Sequence, residues 1–291
     1  MSELVFGGTI ADELSESAAR LTGVSDPRRE ALELWAAVSG GAVGTTWLER
    51  RARPSRAVAE RFRTAVGRRA AGEPFAYVTG RAGFRTLELR VDARVLIPRP
   101  ETEGLVEQVL RWAWVRWGDA AWGDALDVGT GSGCVALSLA AEGHFRRVVG
   151  VDASGPALAV ARANAAGGPG TARVEFRAGD LFPPGGEPFD VIVSNPPYLT
   201  VAEWAGLDPG VRDFEPREAL VAGEDGLEHT RAILSGARQH LTPGGLLGIE
   251  VDCQRAERAR ALAVEAGWRD ARIEHDLFGR PRYLLATEET A

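Results

Sequence analysis

Lysine is absent from this chain: all 34 basic residues are arginine. That excludes a Schiff-base nucleophile, a lysine general base and the Gly-Lys-Ser/Thr phosphate loop. Two cysteines, Cys134 and Cys253, are too few for a disulfide framework or a cysteine-rich zinc site. The four histidines, His144, His229, His240 and His275, have no metal-ligand spacing. No metal is therefore expected, and each histidine reads as a surface or core-edge residue. No apolar run approaches the ~20 residues that cross a bilayer. The opening Met1-Ser2-Glu3-Leu4 lacks the basic-then-apolar order of a signal peptide. A cytoplasmic protein with no membrane contact is expected.

What is present suits one large or two ordinary domains. The 291 residues are 45% hydrophobic and 26% charged, an ordinary balance for a globular chain with a sizeable core. A net charge of -7 weighs against a protein held to nucleic acid mainly by phosphate contacts. No stable nucleic-acid binding is expected.

Apolar spacing predicts helices through the first ~70 residues. Leu14, Ala18 and Leu21 share one face, with Gly23 as the stop. Asp26 and Pro27 supply a cap and first-turn proline for a helix carrying Ala31, Leu34, Trp35 and Val38. Ser55 caps another, with Val58, Phe62, Ala65 and Val66 inward. Its arginines (Arg56, Arg61, Arg63, Arg68 and Arg69) face outward; the run could be a partner surface, and a solvated helix face is the simpler reading. From Gly72 the pattern changes. Residues 75–78 and 87–91 read as short strands about a turn at 80–83, a hairpin joining two domains. A helix follows from about 100 to 117. Strands at 125–128, 148–151, 173–176, 189–194, 246–251, 271–274 and 283–286 then alternate with helices at 134–141, 156–166, 227–241 and 255–266. That alternation predicts a mostly parallel sheet with helices on both faces.

Ligands bind such sheets at the carboxyl ends of the strands, and four features fall there. Asp127-Val128-Gly129-Thr130-Gly131-Ser132-Gly133 is a glycine-rich strand-to-helix turn. Its alternating glycines depart from the Gly-x-Gly-x-x-Gly of dinucleotide folds and suit a nucleoside–amino-acid ligand better than a pyrophosphate. Asp152 ends the next strand, where a carboxylate can accept from both ribose hydroxyls; Asp152 or Ser154 could equally cap the following helix. Asp180 could accept from an adenine amino group while Leu181 packs on the ring, although a turn aspartate is the simpler reading of Asp180 alone.

The fourth feature is an apolar strand running into Asn195-Pro196-Pro197-Tyr198. An amide NH2 is a poor nucleophile because its lone pair is delocalised into the carbonyl. Two acceptors, the Asn195 side-chain oxygen and the Pro196 carbonyl, can hold both hydrogens and turn the nitrogen towards a methyl donor. Pro197 stiffens the loop, and Tyr198 offers a ring to the planar group. Orientation is what such a displacement needs, and fixed geometry can contribute ~7–11 kcal/mol.

Together these motifs resemble class I S-adenosylmethionine-dependent methyltransferases. More narrowly they resemble the HemK/PrmC family of protein-(glutamine N5) methyltransferases, which modify the Gly-Gly-Gln loop of peptide-chain release factors. The narrower marks are Gly72-Glu73-Pro74-Phe75-Ala76-Tyr77-Val78-Thr79-Gly80, Leu96-Ile97-Pro98-Arg99-Pro100-Glu101-Thr102-Glu103, Asp213-Phe214-Glu215-Pro216 and Gly223-Glu224-Asp225-Gly226-Leu227. The resemblance spans about residues 72 to 286. It implies an α/β, Rossmann-like, mostly parallel seven-stranded sheet with a small N-terminal helical domain. The expected division is a helical substrate-recognition domain at 1–72, a β-hairpin linker at 73–97 and an S-adenosylmethionine-binding catalytic domain at 98–291. It implies that Gly129, Thr130, Gly131, Ser132, Gly133, Asp152, Asp180, Leu181 and Asn195 hold the cofactor. Asn195, Pro196, Pro197 and Tyr198 are expected to bind the target glutamine, with Asn195, Pro196 and Tyr198 catalytic. A monomer acting on a release factor follows, in support of translation termination. The chain departs from the family at Glu250-Val251-Asp252-Cys253-Gln254, where Asp252 replaces a glycine. Alternatives are a ribosomal-protein glutamine, an exocyclic base amine, or a non-catalytic binding module; the acid balance and the intact motifs weigh against the last two.

Overall fold

In the computed structural model, which describes residues 8–168 and 170–287, helix-start chemistry lays out the first unit. The opening Met1-Ser2-Glu3-Leu4 lies outside the described residues. This unit comprises Met1–Gly80 with Pro209–Phe214. It holds α1 (Ile10–Arg20), α2 (Pro27–Ser39), α3 (Val43–Glu49), α4 (Arg56–Ala70), α5 (Phe75–Thr79) and, from later in the chain, α10 (Pro209–Arg212). Asp26 accepts from the Arg29 amide at 3.1 Å with Pro27 in the first turn, and Ser55 accepts from the Val58 amide at 3.3 Å. Both caps satisfy amides that the helix itself cannot. Leu34, Trp35, Phe62 and Val66 form its core, with Trp35 and Phe62 edge-to-face at 4.7 Å. The first helix ends at Arg20, short of Gly23. The outward arginines are largely committed within the unit: Arg56 to Glu60, Arg63 to Glu13, Arg68 to Glu73 and Arg69 to Glu30.

Residues 75–78, expected as a strand, are helical. Tyr77 and Val78 both donate to the Pro74 carbonyl at 3.0 Å, and Gly80 closes the turn at φ 72°. Four apolar residues in a row suit either period, and the bracketing proline and glycine decide for one helical turn. The hairpin therefore starts later. β1 (Arg81–Phe84) pairs with β2 (Leu87–Arg90), and the turn sits at Arg85-Thr86 rather than at 80–83.

The hairpin belongs to the second unit, Arg81–Asp208 with Glu215–Ala291. There α6 (Pro100–Trp117) precedes β3 (Trp122–Val128), α7 (Cys134–Glu142), β4 (Phe145–Asp152), α8 (Gly155–Ala165), β5 (Val174–Ala178) and β6 (Phe189–Ser194). After α9 (Val201–Ala205) come α11 (Glu228–Ala237), β7 (Leu241–Glu250), α12 (Ala256–Glu265), β8 (Arg272–His275) and β9 (Pro281–Thr287). The seven strands lie in the order β5-β4-β3-β6-β7-β9-β8. The first five are parallel, and β9 runs antiparallel between β7 and β8. One face buries Leu105, Val109, Leu139 and Phe145, the other Ile233, Leu247, Leu262 and Trp268. Removing one such ring would cost ~3–5 kcal/mol. The strand order reverses between β3 and β6, and that switch point opens a crevice at their carboxyl ends.

Candidate active site

A cavity of about 520 Å³ occupies this crevice, walled by the carboxyl ends of β3, β4 and β6 and the turn after β5. The glycine loop forms its floor. Gly129, Gly131 and Gly133 have φ of 72°, 54° and 84°, a region L side chains rarely adopt. The Gly129 and Thr130 amides donate to the Val151 carbonyl at 2.8 and 2.9 Å. Beneath them Asp127, 1% exposed, accepts from the Thr130 hydroxyl at 2.6 Å and the Ala136 amide at 3.1 Å. Burial pushes its carboxyl up to about 7, against the pull of those two donors. Asp127 is thus the loop's anchor. A Cβ at Gly133 would lie 3.0 Å from the Phe176 ring, so the last glycine also serves helix–sheet packing.

Asp152 faces the cavity from β4, and both of its oxygens are already in use. One accepts from the Gly131 amide and the other from the Ser154 amide, each at 2.8 Å. Lone pairs remain for a diol. The helix cap is Ser154, which accepts from the Ala157 amide at 3.2 Å. Asp180 and Leu181 reach the wall after β5, with Leu181 at φ 65°. A non-glycine residue in the left-handed region costs ~1–3 kcal/mol because of its Cβ, so the surrounding turn must hold Leu181 there. Cys134 also borders the cavity, but burial pushes its thiol up to about 12 and leaves no thiolate nucleophile.

The Asn-Pro-Pro-Tyr loop leaves β6 where the Ser194 hydroxyl donates to the Val128 carbonyl at 2.8 Å. Asn195, Pro196 and Pro197 line the cavity. The Asn195 Nδ2 donates to Thr102 Oγ1 at 2.9 Å, which leaves Oδ1 as the free acceptor. Tyr198 is not among the walls. Its phenol is pushed up to about 12, by burial first and by Glu250 next. The loop's carboxyl side is pinned by backbone bonds from Leu199 to Leu220 and from Ala222 to Leu199, at 2.9 and 2.8 Å.

Several site residues had no partner assigned to them from the sequence. Thr102 orients Asn195. Glu215, 5% exposed, accepts from the Ile97 amide at 3.1 Å and the Arg99 guanidinium at 2.5 Å, and so fixes the wall segment before α6. Both lie within motifs quoted for the resemblance, which was the available signal. His229, expected at the surface or core edge, lines the cavity with Nδ1 buried and unpartnered, because the first turn of α11 points there. Asp252, the departure from the family pattern, pairs with Arg255 at 2.6 Å, and Arg255 reaches Glu203 at 2.7 Å.

The strand order, the switch-point crevice and its glycine floor define a class I methyltransferase fold and site. Residues 117–205 match the Methyltransferase small domain family, and residues 13–80 match the PrmC N-terminal domain family. The chain is 39% identical to a release factor glutamine methyltransferase of Streptomyces coelicolor, over 94% of this chain and 96% of that one. It is 40% identical to one of Moorella thermoacetica, over 96% and 98%. A methyltransferase from Pyrococcus furiosus shares the fold, with a TM-score of 0.50 and 19% identity over 70% of this chain and 90% of that one. The chain belongs to the release factor glutamine methyltransferase family and is a methyltransferase.

Proposed function

We propose that this chain methylates the side-chain amide nitrogen of the glutamine in the Gly-Gly-Gln loop of peptide-chain release factors, with S-adenosylmethionine as donor. The observation that carries this reading is the locked Asn195 amide. Its nitrogen is engaged by Thr102, so its oxygen is the atom left to accept from a target NH2. The names borne by relatives at about 40% identity over nearly the whole chain support the same substrate.

S-adenosylmethionine, when bound, supplies a methyl group on a sulfonium. The cavity suits such a ligand: Asp152 for the ribose hydroxyls, Asp180 and Leu181 for the adenine, and the bare faces of Gly129 and Gly131 for close approach. On the target side, Asn195 Oδ1 and the Pro196 carbonyl each take one amide hydrogen, turning the nitrogen lone pair along the line of displacement. The two prolines keep both acceptors rigid. The proton lost after transfer leaves an acidic, N-methylated amide cation and can go to water, so no strong base is needed. Tyr198, largely buried and not among the cavity walls, is the support of the loop in this reading.

In this reading the first unit recognises the release factor, the second carries the methyl transfer, and the protein works as a cytoplasmic monomer. The pairing of its arginines with Glu13, Glu30, Glu60 and Glu73 favours a protein target over a nucleic acid. Purified protein, methyl-labelled S-adenosylmethionine and a release factor test the assignment. Label is expected on the factor and absent when its loop glutamine is changed to alanine. Equal label on both, or label only on a ribosomal protein or nucleic acid, would overturn the substrate.

A further inference from the structure

We infer that the tip of the β8–β9 hairpin, Leu277-Phe278, is an apolar docking prong for the release factor, meeting its surface beside the loop that carries the target glutamine. The inference deepens the proposed reaction and rests on it for the partner it names.

Leu277 and Phe278 are the most exposed large apolar side chains among the described residues, at 101% and 82%. Single apolar residues on a surface need no explanation, but two side by side on a fixed tip are a patch that folding does not require. Asp276 holds the tip from below. Its carboxylate accepts from the Phe278 and Arg280 amides, each at 2.9 Å, and from the Arg280 guanidinium at 2.8 Å. The Asp276 amide donates to the Arg280 carbonyl and the Gly279 amide to the Asp276 carbonyl, both at 2.9 Å. A tip so tied has little backbone freedom left to lose when its side chains meet a partner.

Strand register sets where the tip stands. Ser194 of β6 is level with Ile249 of β7, and Ile249 with Leu284 of β9. One residue further on, Asn195, Glu250 and Tyr283 share a row at the ligand edge of the sheet. With β7 between them, β6 and β9 are two strand spacings apart, ~10 Å. Because β9 runs antiparallel to β7, the residues before Pro281 project beyond that edge, beside the cavity mouth. The hairpin is also tied to the site. Tyr283 donates to the Glu101 carbonyl at 2.7 Å, and Arg280 reaches the Glu101 carboxylate at 3.4 Å. The next residue, Thr102, lines the cavity and accepts from Asn195.

The same strand order identifies the partner. Asp152 and Asp180, the groups assigned to the donor, stand at the ends of β4 and β5, on one side of Asn195. Strands β7, β9 and β8 extend on the other side. An in-line displacement brings the acceptor from the side away from the donor's sulfur. The protein presenting the glutamine therefore lies over the β7–β9 half, against this tip. Arg280 is matched by Asp276 and Glu101, so the tip offers apolar contact rather than charge. That suits a protein surface and not a phosphate backbone.

The test compares the full chain with Leu277→Ser/Phe278→Ser and with the apolar-for-apolar pair Leu277→Met/Phe278→Leu. Readouts are release-factor labelling kinetics, calorimetric affinity for S-adenosylmethionine, Tm, and photo-cross-linking from Phe278→benzoylphenylalanine. The serine pair is expected to raise KM for the release factor about 10- to 100-fold, the scale of two apolar side chains lost from a contact, with kcat within about threefold. Cofactor affinity and Tm should match the parent, because neither side chain packs within the fold. The apolar pair should keep KM within about threefold of the parent. The cross-link should fall on the release factor near its Gly-Gly-Gln loop. A parent-like KM in the serine pair, or a cross-link only to a second copy of this chain or to nucleic acid, would overturn the prong while leaving the substrate in place. A parent protein that labels no release factor removes the substrate, and the partner named here with it.

Discussion

Asp152→Asn looks conservative and is expected to be severe. The carboxylate has two oxygens, and each accepts a backbone N–H at 2.8 Å, one from Gly131 and one from Ser154. An amide has a single oxygen. Whichever way it turns, its NH2 group meets one of those two donors, so one bond is lost and two donors are opposed. The cost is ~1–3 kcal/mol, the range for a donor stranded in a partly buried site. At ~1.4 kcal/mol per tenfold, cofactor affinity should fall about 5- to 150-fold, because Gly131 belongs to the cavity floor and the ribose acceptor is weakened as well. Whatever part of that cost is already present in the cofactor-free fold lowers Tm instead, by about 2–4 °C per kcal/mol. Titration calorimetry with S-adenosylmethionine and a thermal scan provide the numbers. An affinity within twofold of wild type, with Tm unmoved, would refute both the double-acceptor geometry and the ribose assignment.

Two further outcomes follow from the loop and its surroundings. Asn195→Ala removes one oriented acceptor, so kcat should drop about 10²- to 10³-fold while calorimetric cofactor affinity changes only a few-fold; near-normal turnover would remove the acceptor role. Burial holds the Glu250 carboxyl up at about 7, above its ordinary 4.5. The folded state therefore binds the proton more tightly than the unfolded chain, and this group's support for folding is fullest below pH 4.5. That support fades as pH rises to 7 and is gone above it, at a cost of ~3 kcal/mol. Glu250→Gln should accordingly gain Tm over the parent at pH 8 and lose that advantage at pH 5. Parallel Tm curves across this range would contradict it.

The sheet was readable because its central parallel strands carry short apolar runs, as in Val191-Ile192-Val193 of β6. The glycine loop, Asp152 and the Asn-Pro-Pro loop were readable because they sit at strand ends, where topology alone brings them together. Residues 75–78 misled because a four-residue apolar run has no period of its own. Thr102 and Glu215 gave no sign of the side chains they hold, for a different reason. Each acts on a partner far along the chain, 93 residues away for Thr102 and Asn195 and 116 for Glu215 and Arg99, and such pairing follows only from the folded arrangement. Tyr198 shows the converse: its place in the motif suggested contact with the cavity, yet it is not among the residues that line it.

The chain leaves its first unit at Gly80, returns to it for the six residues Pro209–Phe214, and leaves again at Glu215. No single peptide-bond cleavage can therefore release either unit whole. A protease nick between 80 and 81 would yield an amino-terminal fragment lacking its last helix and a carboxy-terminal fragment carrying a stray one.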